Sequence, residues 1–320
     1  IPYPVNFSYI WGDALTELDR VAPDVRIVNL ETAVTANAHP WPHKGIHYRM
    51  HPRNILCLTA AGIQCCVLAN NHVLDWGYAG LEETLLTLHS VGIATAGAGQ
   101  TLEQAEAPAI LNVADKGRVL VFAFGHSSSG IPVDWKAGRD RPGVNRLDDL
   151  SERTVQHIRN RIYHEKQAKD IVVVSIHWGG NWGYEVPREH QQFAHRLIDI
   201  AGVDVVHGHS SHHVKAIEVY RDRPIFYGCG DFFNDYEGIS GYEQYRGDLA
   251  LMYFPSVQPE TGKLSQLALS PAQTKRFQVI RASAEDAAWL QQLLTREGKP
   301  FDTDAKMDRD RRFTLTWRSQ

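Results

Sequence analysis

Residues 171–177 read Ile-Val-Val-Val-Ser-Ile-His, and residues 205–209 read Val-Val-His-Gly-His. Both stretches are short, rich in β-branched residues and mostly apolar, which is typical of strands buried on both faces. Between them lies a helical pattern that is preceded by Pro187 and followed by Gly202. This order of strand, helix and strand predicts an α/β fold in which helices cover both faces of a sheet.

The same alternation extends to both sides of this stretch. Further apolar runs occur at residues 25–30, 63–69, 119–124, 224–227 and 249–254, and further helical patterns at residues 81–88 and 155–162. Residues 264–282 have the pattern of strands and residues 284–297 that of a helix. We therefore expect residues 1–320 to form a single domain, and the polar runs 35–54 and 126–146 to be long functional loops.

The composition limits the classes of function. The chain has 320 residues, of which 43% are hydrophobic, so it can bury about three quarters of its unfolded surface. Its 33 basic and 37 acidic side chains nearly balance, which argues against a general affinity for nucleic acid or anionic membranes. No apolar stretch approaches the ~20 residues of a membrane span.

The cysteines and the first residue bear on the cellular location. Cys65 and Cys66 are neighbours in an apolar run, and the sequence has no Cys-x-x-Cys motif. We interpret the cysteines as buried thiols of a reducing compartment, which predicts a cytoplasmic protein. Because the sequence begins with Ile1 rather than Met, a membrane-anchored extracellular protein whose anchor has been removed is the alternative.

Four of the apolar runs end on residue types that bind metal ions. These residues are Asn29 and Glu31, then Asn70, Asn71 and His72, then His177, and finally His207, His209 and His212. Strands of an α/β sheet have their carboxyl ends at one edge, so we expect these side chains to converge. Carboxylate oxygen, amide oxygen and imidazole nitrogen together predict a divalent-cation site. Taken singly, Glu31 is also explained as a surface carboxylate and His177 as a buried structural histidine. Asn70 and Asn71 are also explained as turn residues.

The motifs at these strand ends, in their order along the chain, resemble those of the CapA/PgsA proteins. They are Asn29-Leu-Glu31, Ala69-Asn-Asn-His72 followed by Asp75-Trp-Gly77, His177-Trp-Gly179, and Gly208-His209 followed after two residues by His212. This family is linked to capsule and poly-γ-glutamate synthesis and belongs to the calcineurin-like metallophosphoesterase superfamily. The resemblance covers roughly residues 10–236. It implies a sandwich of two mixed β-sheets flanked by helices, with a dinuclear metal site at the strand ends.

The resemblance also implies a role for each motif residue. Glu31 corresponds to the carboxylate that bridges two divalent ions, which would be Mn, Fe, Zn or Mg. The further metal ligands correspond to Asn71, His177, His209 and His212. His72 corresponds to the catalytic histidine that contacts substrate, and Asp75 is expected to orient it.

The sequence departs from the family pattern at three places. A Gly-Asp motif is expected before Glu31, but Gly12-Asp13 lacks a preceding apolar strand, so we expect this motif and its strand to lie upstream of Ile1. Ser210-Ser211 stand where family members usually carry His-Pro between the last two ligand histidines. Asp231 replaces the usual Asn. We expect the metal ligands to be retained and the loop geometry to differ.

An anionic substrate requires basic partners from this protein. Arg49 and His51 are the candidates, with Lys44 nearby, and Asn29 is assigned to substrate binding as well. A solvated loop with ordinary charges also explains Arg49, His51 and Lys44.

Three functions are compatible with this set of residues. Our main prediction is a metal-dependent hydrolase of the metallophosphoesterase type, which acts on a phosphoester through two ions. In this prediction His72 either protonates the leaving oxygen or stabilises the charge that develops on it. The alternative is a non-hydrolytic component of poly-γ-glutamate or capsule polymer synthesis or export that binds an anionic polymer. The third is a member of the family that has lost one metal ion. The expected partner is a small anionic or phosphorylated substrate, or an anionic polymer.

Overall fold

The computed structural model describes residue 1, residues 3–236 and residues 239–318. The chain has a mixed α/β fold with several sheets. Its α-helices are α1 (Asp13–Val21), α2 (Leu56–Ala60), α3 (Gly77–Ser90), α4 (Leu102–Glu106), α5 (Glu152–Glu165), α6 (Arg188–Asp199) and α7 (Ala284–Gly298). Its strands are β1 (Ile27–Asn29), β2 (Ala33–Val34), β3 (Arg49–Met50), β4 (Cys65–Val67), β5 (Ala94–Ala96), β6 (Ala98–Gly99), β7 (Ala109–Val113), β8 (Gly117–His126), β9 (Gly143–Val144), β10 (Arg146–Leu147), β11 (Ile171–His177), β12 (Val205–His209), β13 (Ile217–Tyr220), β14 (Arg223–Phe226), β15 (Leu249–Val257), β16 (Leu264–Thr274), β17 (Val279–Arg281), β18 (Thr303–Met307) and β19 (Phe313–Trp317).

The strands that end on the candidate metal-binding residues pair in parallel with their neighbours. Strands β1, β4 and β5 form a parallel three-stranded sheet. In a second sheet β8, β11, β12 and β14 run parallel, and β13 adds an antiparallel edge strand. The register aligns His177 of β11 with Gly125 of β8 on one side and with His209 of β12 on the other. The carboxyl ends of β11 and β12 therefore lie side by side.

The apolar run at residues 171–177 becomes β11, and all seven of its residues are buried. Val172, on one face of the strand, belongs to a buried cluster that includes Ile158 of α5 and Phe193 of α6. Val173, on the other face, belongs to a cluster that includes side chains of β16 and α7. This burial on both faces explains why the run is mostly apolar instead of alternating.

The C-terminal part of the chain forms an antiparallel sheet in the order β15, β16, β19 and β18, and β17 also pairs with β16. Strands and a helix lie where the sequence predicts them, as β16, β17 and α7. The Ser283 hydroxyl accepts a hydrogen bond from the Asp286 backbone N–H at 3.1 Å, which fixes the start of α7. The sequence pattern did not reveal β18 and β19, because each has only five residues and few of their side chains are buried.

Two other observations concern the whole of the described chain. None of the described helices combines the length and the apolar character that crossing a bilayer requires. The four cysteines are free thiols; Cys57, Cys65 and Cys66 are buried and Cys229 is partly buried.

Candidate functional site

Three strand ends meet at one place. Glu31 follows β1, Asn71 follows β4, and His177 ends β11. His177 Nε2 lies 3.1 Å from Asn71 Oδ1 and 3.6 Å from Glu31 Oε1. Residues that are far apart in the sequence are thus brought into contact, as the positions of the strand ends predict. We call Glu31, Asn71, His177 and His209 the strand-end cluster.

The Glu31 carboxylate is held in a desolvated position. Asn29 Nδ2 donates a hydrogen bond to Glu31 Oε2 at 2.8 Å. The side chain keeps 26% of its exposure, so water and ligands can reach it. Burial and the nearby negative charge of Asp231 together raise the pKa of Glu31 to about 8, although the charge of His212 opposes this rise. A cation beside Glu31 would favour its ionised form.

Asn70 and Asn29 form the support of this carboxylate. Asn70 Nδ2 donates to Asn29 Oδ1 at 3.0 Å and to the carbonyl of Leu30 at 2.9 Å. Asn70 Oδ1 accepts from the backbone N–H groups of His72 at 3.1 Å and Val73 at 3.0 Å. The Asn70 side chain is buried, and both its amide nitrogen and its amide oxygen are engaged in hydrogen bonds that stabilise the turn. The contacts of Asn29 indicate that it positions Glu31, whereas its assigned contact with substrate stays a prediction.

His72 and Asp75 form a buried pair next to the strand-end cluster. Asp75 Oδ2 accepts from His72 Nδ1 at 2.7 Å and from the Tyr48 backbone N–H at 2.6 Å. A carboxylate cannot donate, so Nδ1 carries the proton, and Nε2 of the neutral imidazole has the free lone pair. The ring stacks on Tyr48 with centroids 4.0 Å apart. Burial lowers the pKa of His72, while Asp75 opposes this shift.

Lys44 supplies the positive charge of this region. Its ammonium group forms an ion pair with Asp75 Oδ1 and donates to the Ile46 carbonyl at 3.0 Å. Burial lowers the pKa of Lys44, although the bond to Asp75 and the charge of Glu31 oppose the shift. In the sequence, Lys44 stands out only as a neighbour of Arg49 and His51. Its position in a long polar loop gave no indication that it reaches the aspartate.

Arg49 and His51 make their contacts elsewhere. The Arg49 guanidinium donates to the Asn37 carbonyl at 2.8 Å and lies 4.2 Å from the centroid of the Trp76 ring. His51 Nδ1 accepts from the Arg53 backbone N–H at 3.1 Å at the start of a short 3₁₀ turn. Their assignment to substrate binding stays a prediction, which these contacts do not support.

His209 and His212 occupy different surroundings. His209 Nδ1 lies 2.8 Å from His177 Nδ1, and burial lowers the pKa of His177 to about 3 and that of His209 well below its usual value. His212 Nδ1 lies 3.0 Å from Asp231 Oδ2. Burial opposes the charged form of His212, but the hydrogen bond and the charge of Asp231 outweigh burial and raise its pKa. Asp231 was noticed in the sequence only as a departure from the family pattern.

The strand-end cluster combines side chains of the types that bind divalent cations. Among the described residues, no group of three His, Cys, Asp or Glu side chains is close enough to hold a metal ion. The Asn71 amide oxygen and the Glu31 carboxylate both lie near His177 Nε2. Donor atoms 3.1–3.6 Å apart are compatible with ligands that each lie about 2.0–2.2 Å from one shared ion. The donor types and the desolvated carboxylate therefore fit a divalent cation.

Comparisons with known proteins agree with the motifs. A family model described as "Bacterial capsule synthesis protein PGA_cap" matches residues 1–236, which include every residue of the strand-end cluster. A "Probable polyglutamine synthesis accessory protein" of Mycobacterium tuberculosis is 45% identical over 302 residues, which cover 94% of this chain and 79% of the relative. The "PGA biosynthesis protein CapA" of Bacillus subtilis is 28% identical over 297 residues, covering 88% and 73%. The "Capsule biosynthesis protein CapA" of Bacillus anthracis is 27% identical over 192 residues, covering 60% and 45%. From the family match and the 45% identity, the chain belongs to the bacterial capsule synthesis family PGA_cap.

Proposed function

We propose that this protein is an accessory component of bacterial capsule or poly-γ-glutamate synthesis or export, and that it binds an anionic polymer at the strand-end cluster. The names of its relatives refer to synthesis accessory and capsule biosynthesis proteins, which supports this role over that of a free-standing hydrolase. The observation that carries the proposal is the position of Lys44 and His72, which share Asp75 beside a cluster suited to a divalent cation. An ammonium group and a divalent cation attract carboxylates, and an imidazole does so once its free nitrogen carries a proton.

In this proposal Glu31, Asn71 and His177 would hold a divalent cation, and His209 and His212 would be further metal ligands. A bound ion would supply positive charge that attracts carboxylate or phosphoryl oxygens. Lys44 adds a fixed charge, and Asp75 keeps the His72 ring oriented with Nε2 free. Asn29 and Asn70 keep Glu31 in place.

We further propose that residues 1–320 form one domain with the two-sheet sandwich of the metallophosphoesterases. One buried cluster joins Val121 of β8 and Val173 of β11 to Leu267 of β16 and Phe313 of β19, which supports two sheets packed face to face. In such an arrangement the strand ends open at one edge of the sandwich, where a long polymer has access.

The polymer proposal is tested by calorimetric titration with poly-γ-glutamate of one defined length, in Mn²⁺ and in EDTA. We expect binding that requires the ion and that weakens about tenfold or more in Lys44→Gln, since a charge-assisted contact contributes about 1.5–3 kcal/mol. The control is His164→Ala, which changes an exposed histidine of α5. Equal affinity of Lys44→Gln and the wild type, or no binding at all, would overturn the proposal.

Hydrolysis is a second candidate, favoured by the pairing of His72 with Asp75. An imidazole held through Nδ1 leaves Nε2 available, and it can protonate a leaving oxygen only after Nε2 has taken up a proton. The test is the Mn²⁺-dependent cleavage of an activated aryl phosphate by purified protein. Glu31→Ala and His209→Ala should abolish turnover while the circular dichroism spectrum is retained. Turnover at equal rates in these variants would show that the activity has another source.

A further inference from the structure

A serine interrupts the apolar run of β11. Ser175 is fully buried in β11, among valines and isoleucines. Its Oγ lies 2.8 Å from His209 Nε2 and 3.0 Å from His207 Nδ1. Burying a hydroxyl costs free energy unless the hydroxyl is hydrogen-bonded, and here the two imidazoles provide the hydrogen-bond partners.

The contacts join into one continuous chain. It runs from His207 through Ser175 to His209, from His209 Nδ1 to His177 Nδ1 at 2.8 Å, and from His177 Nε2 to Asn71 Oδ1 at 3.1 Å. Burial of the three imidazoles favours their uncharged forms. Each neutral ring has one N–H and one lone pair, so a proton on one nitrogen fixes the role of the other.

The Asn71 oxygen sets the direction of the chain when no cation is present. An amide oxygen only accepts, so His177 Nε2 carries the proton and His177 Nδ1 accepts from His209 Nδ1–H. His209 Nε2 then accepts from the Ser175 hydroxyl. Ser175 Oγ in turn accepts from His207 Nδ1–H. Every donor in the chain points from His207 towards Asn71.

When a cation binds at the strand-end cluster, the hydrogen bonds of the chain must point in the opposite direction, from His209 towards His207. An imidazole binds a metal ion through a lone pair, so a ligating nitrogen cannot keep its proton. If His177 binds through Nε2, its proton moves to Nδ1 and His209 Nδ1 becomes the acceptor. If His209 binds through Nδ1, that nitrogen also loses its proton. In both cases His209 carries its proton on Nε2 and donates to Ser175, whose hydroxyl then donates to His207 Nδ1.

We propose that His207, Ser175, His209 and His177 form a directional hydrogen-bonded chain whose order reverses when a divalent cation binds at the strand-end cluster. Ser175 and His207 are then positioning residues, which set the tautomer of the histidines nearer the ion. This proposal rests on the cation site of the proposed function. The reversal conserves protons: one leaves at the ligating nitrogen, one enters at His207 Nε2, and each imidazole remains neutral. His207 is partly exposed, and the reversal requires its Nε2 to exchange a proton with water.

The direct test is nitrogen NMR of the full chain with ¹⁵N-labelled histidine rings, because N–H and lone-pair nitrogens differ widely in chemical shift. His207→Gln and His209→Gln assign the resonances. In EDTA we expect His207 and His209 to carry their protons on Nδ1. With saturating Zn²⁺, a diamagnetic ion, both should carry them on Nε2. Nε2–H tautomers in EDTA, or a His207 tautomer that stays the same while Zn²⁺ binds at His177, would overturn the proposal.

Calorimetry with Zn²⁺ gives a second, independent readout. Ser175→Ala should weaken Zn²⁺ binding by about 10-fold or more, the usual effect of removing a group that orients a metal ligand. Ser175→Thr retains the hydroxyl and should restore most of the affinity, and Ser256→Ala at an exposed position of β15 is the control. Unchanged affinity in Ser175→Ala would overturn the positioning role. Absence of Zn²⁺ binding in the wild type would overturn the reversal and the cation site, while the tautomers in EDTA would still decide the direction of the chain.

Discussion

Glu31→Gln should stabilise the cation-free protein at alkaline pH. The pKa of Glu31 is raised from 4.5 to about 8, so the folded state holds this proton more tightly than the unfolded state. The stabilisation by the protonated group is complete below pH 4.5 and is lost as the pH rises from 4.5 to about 8. Glutamine keeps the shape and an oxygen that can accept from Asn29, but it does not titrate.

The magnitude follows from the size of the shift. The difference between 8 and 4.5 is 3.5 pKa units. At about 1.36 kcal/mol per unit, this corresponds to an upper limit of about 5 kcal/mol. The side chain is 26% exposed, so water relieves part of the desolvation. We therefore expect Glu31→Gln to gain about 2–3 kcal/mol relative to the wild type at pH 8.5, and almost nothing at pH 4.5.

The assay is urea denaturation in EDTA at both pH values, repeated at pH 8.5 with saturating Mn²⁺. The wild type should gain about 2.7 kcal/mol at an ion concentration about 100 times the Kd, whereas Glu31→Gln should gain far less. The difference in the free energy of unfolding between the wild type and Glu31→Gln should therefore become smaller or change sign when the ion is added. The control Glu82→Gln removes a glutamate from an exposed position of α3. Equal stability of Glu31→Gln and the wild type in EDTA, or equal stabilisation of both by Mn²⁺, would refute the reasoning.

Three further predictions concern the free energy of unfolding of the protein. Hydrogen bonds with Arg20 and Ser270 lower the pKa of Glu17 to about 2, so its stabilisation is present above pH 4.5 and is lost as the pH falls towards 2. Glu17→Gln should cost about 2–3 kcal/mol at pH 7 in urea denaturation, and this difference should vanish in acid. Asn70→Ala removes four hydrogen bonds at a buried turn and should cost roughly 2–4 kcal/mol by the same measurement. Phe122→Ala empties a site that is 1% exposed and should cost roughly 3–5 kcal/mol, seen as a lower Tm. Wild-type stability in any one of these variants would contradict the packing or bonding described for that residue.

The strand ends could be predicted because buried strands appear in the sequence as apolar runs. A strand covered on both faces, such as β11, is apolar at most of its positions, and the polar residue at its end marks the edge of the sheet. His177 was found in this way, whereas Glu31 follows the partly buried strand β1, which belongs to the other parallel sheet.

The remaining parts of the site could not be read from such patterns. Lys44 and Asp231 lie outside helices and strands, where no periodicity relates sequence position to location in space. The basic residues near Lys44 in the sequence, Arg49 and His51, have the same charge type but contact a tryptophan ring and a turn instead. Which side chain of a loop reaches the site depends on tertiary contacts, here the buried carboxylate of Asp75.

The central claim is that the strand ends bind a divalent ion, and metal content tests it most directly. The protein is dialysed to equilibrium against Mn²⁺, and the bound metal is measured by elemental analysis for the wild type, His177→Gln and the control His164→Ala. The account predicts at least one ion per chain in the wild type and in the control, and loss of that ion in His177→Gln. A wild-type protein without bound metal, or a His177→Gln variant that retains all of it, would contradict the account.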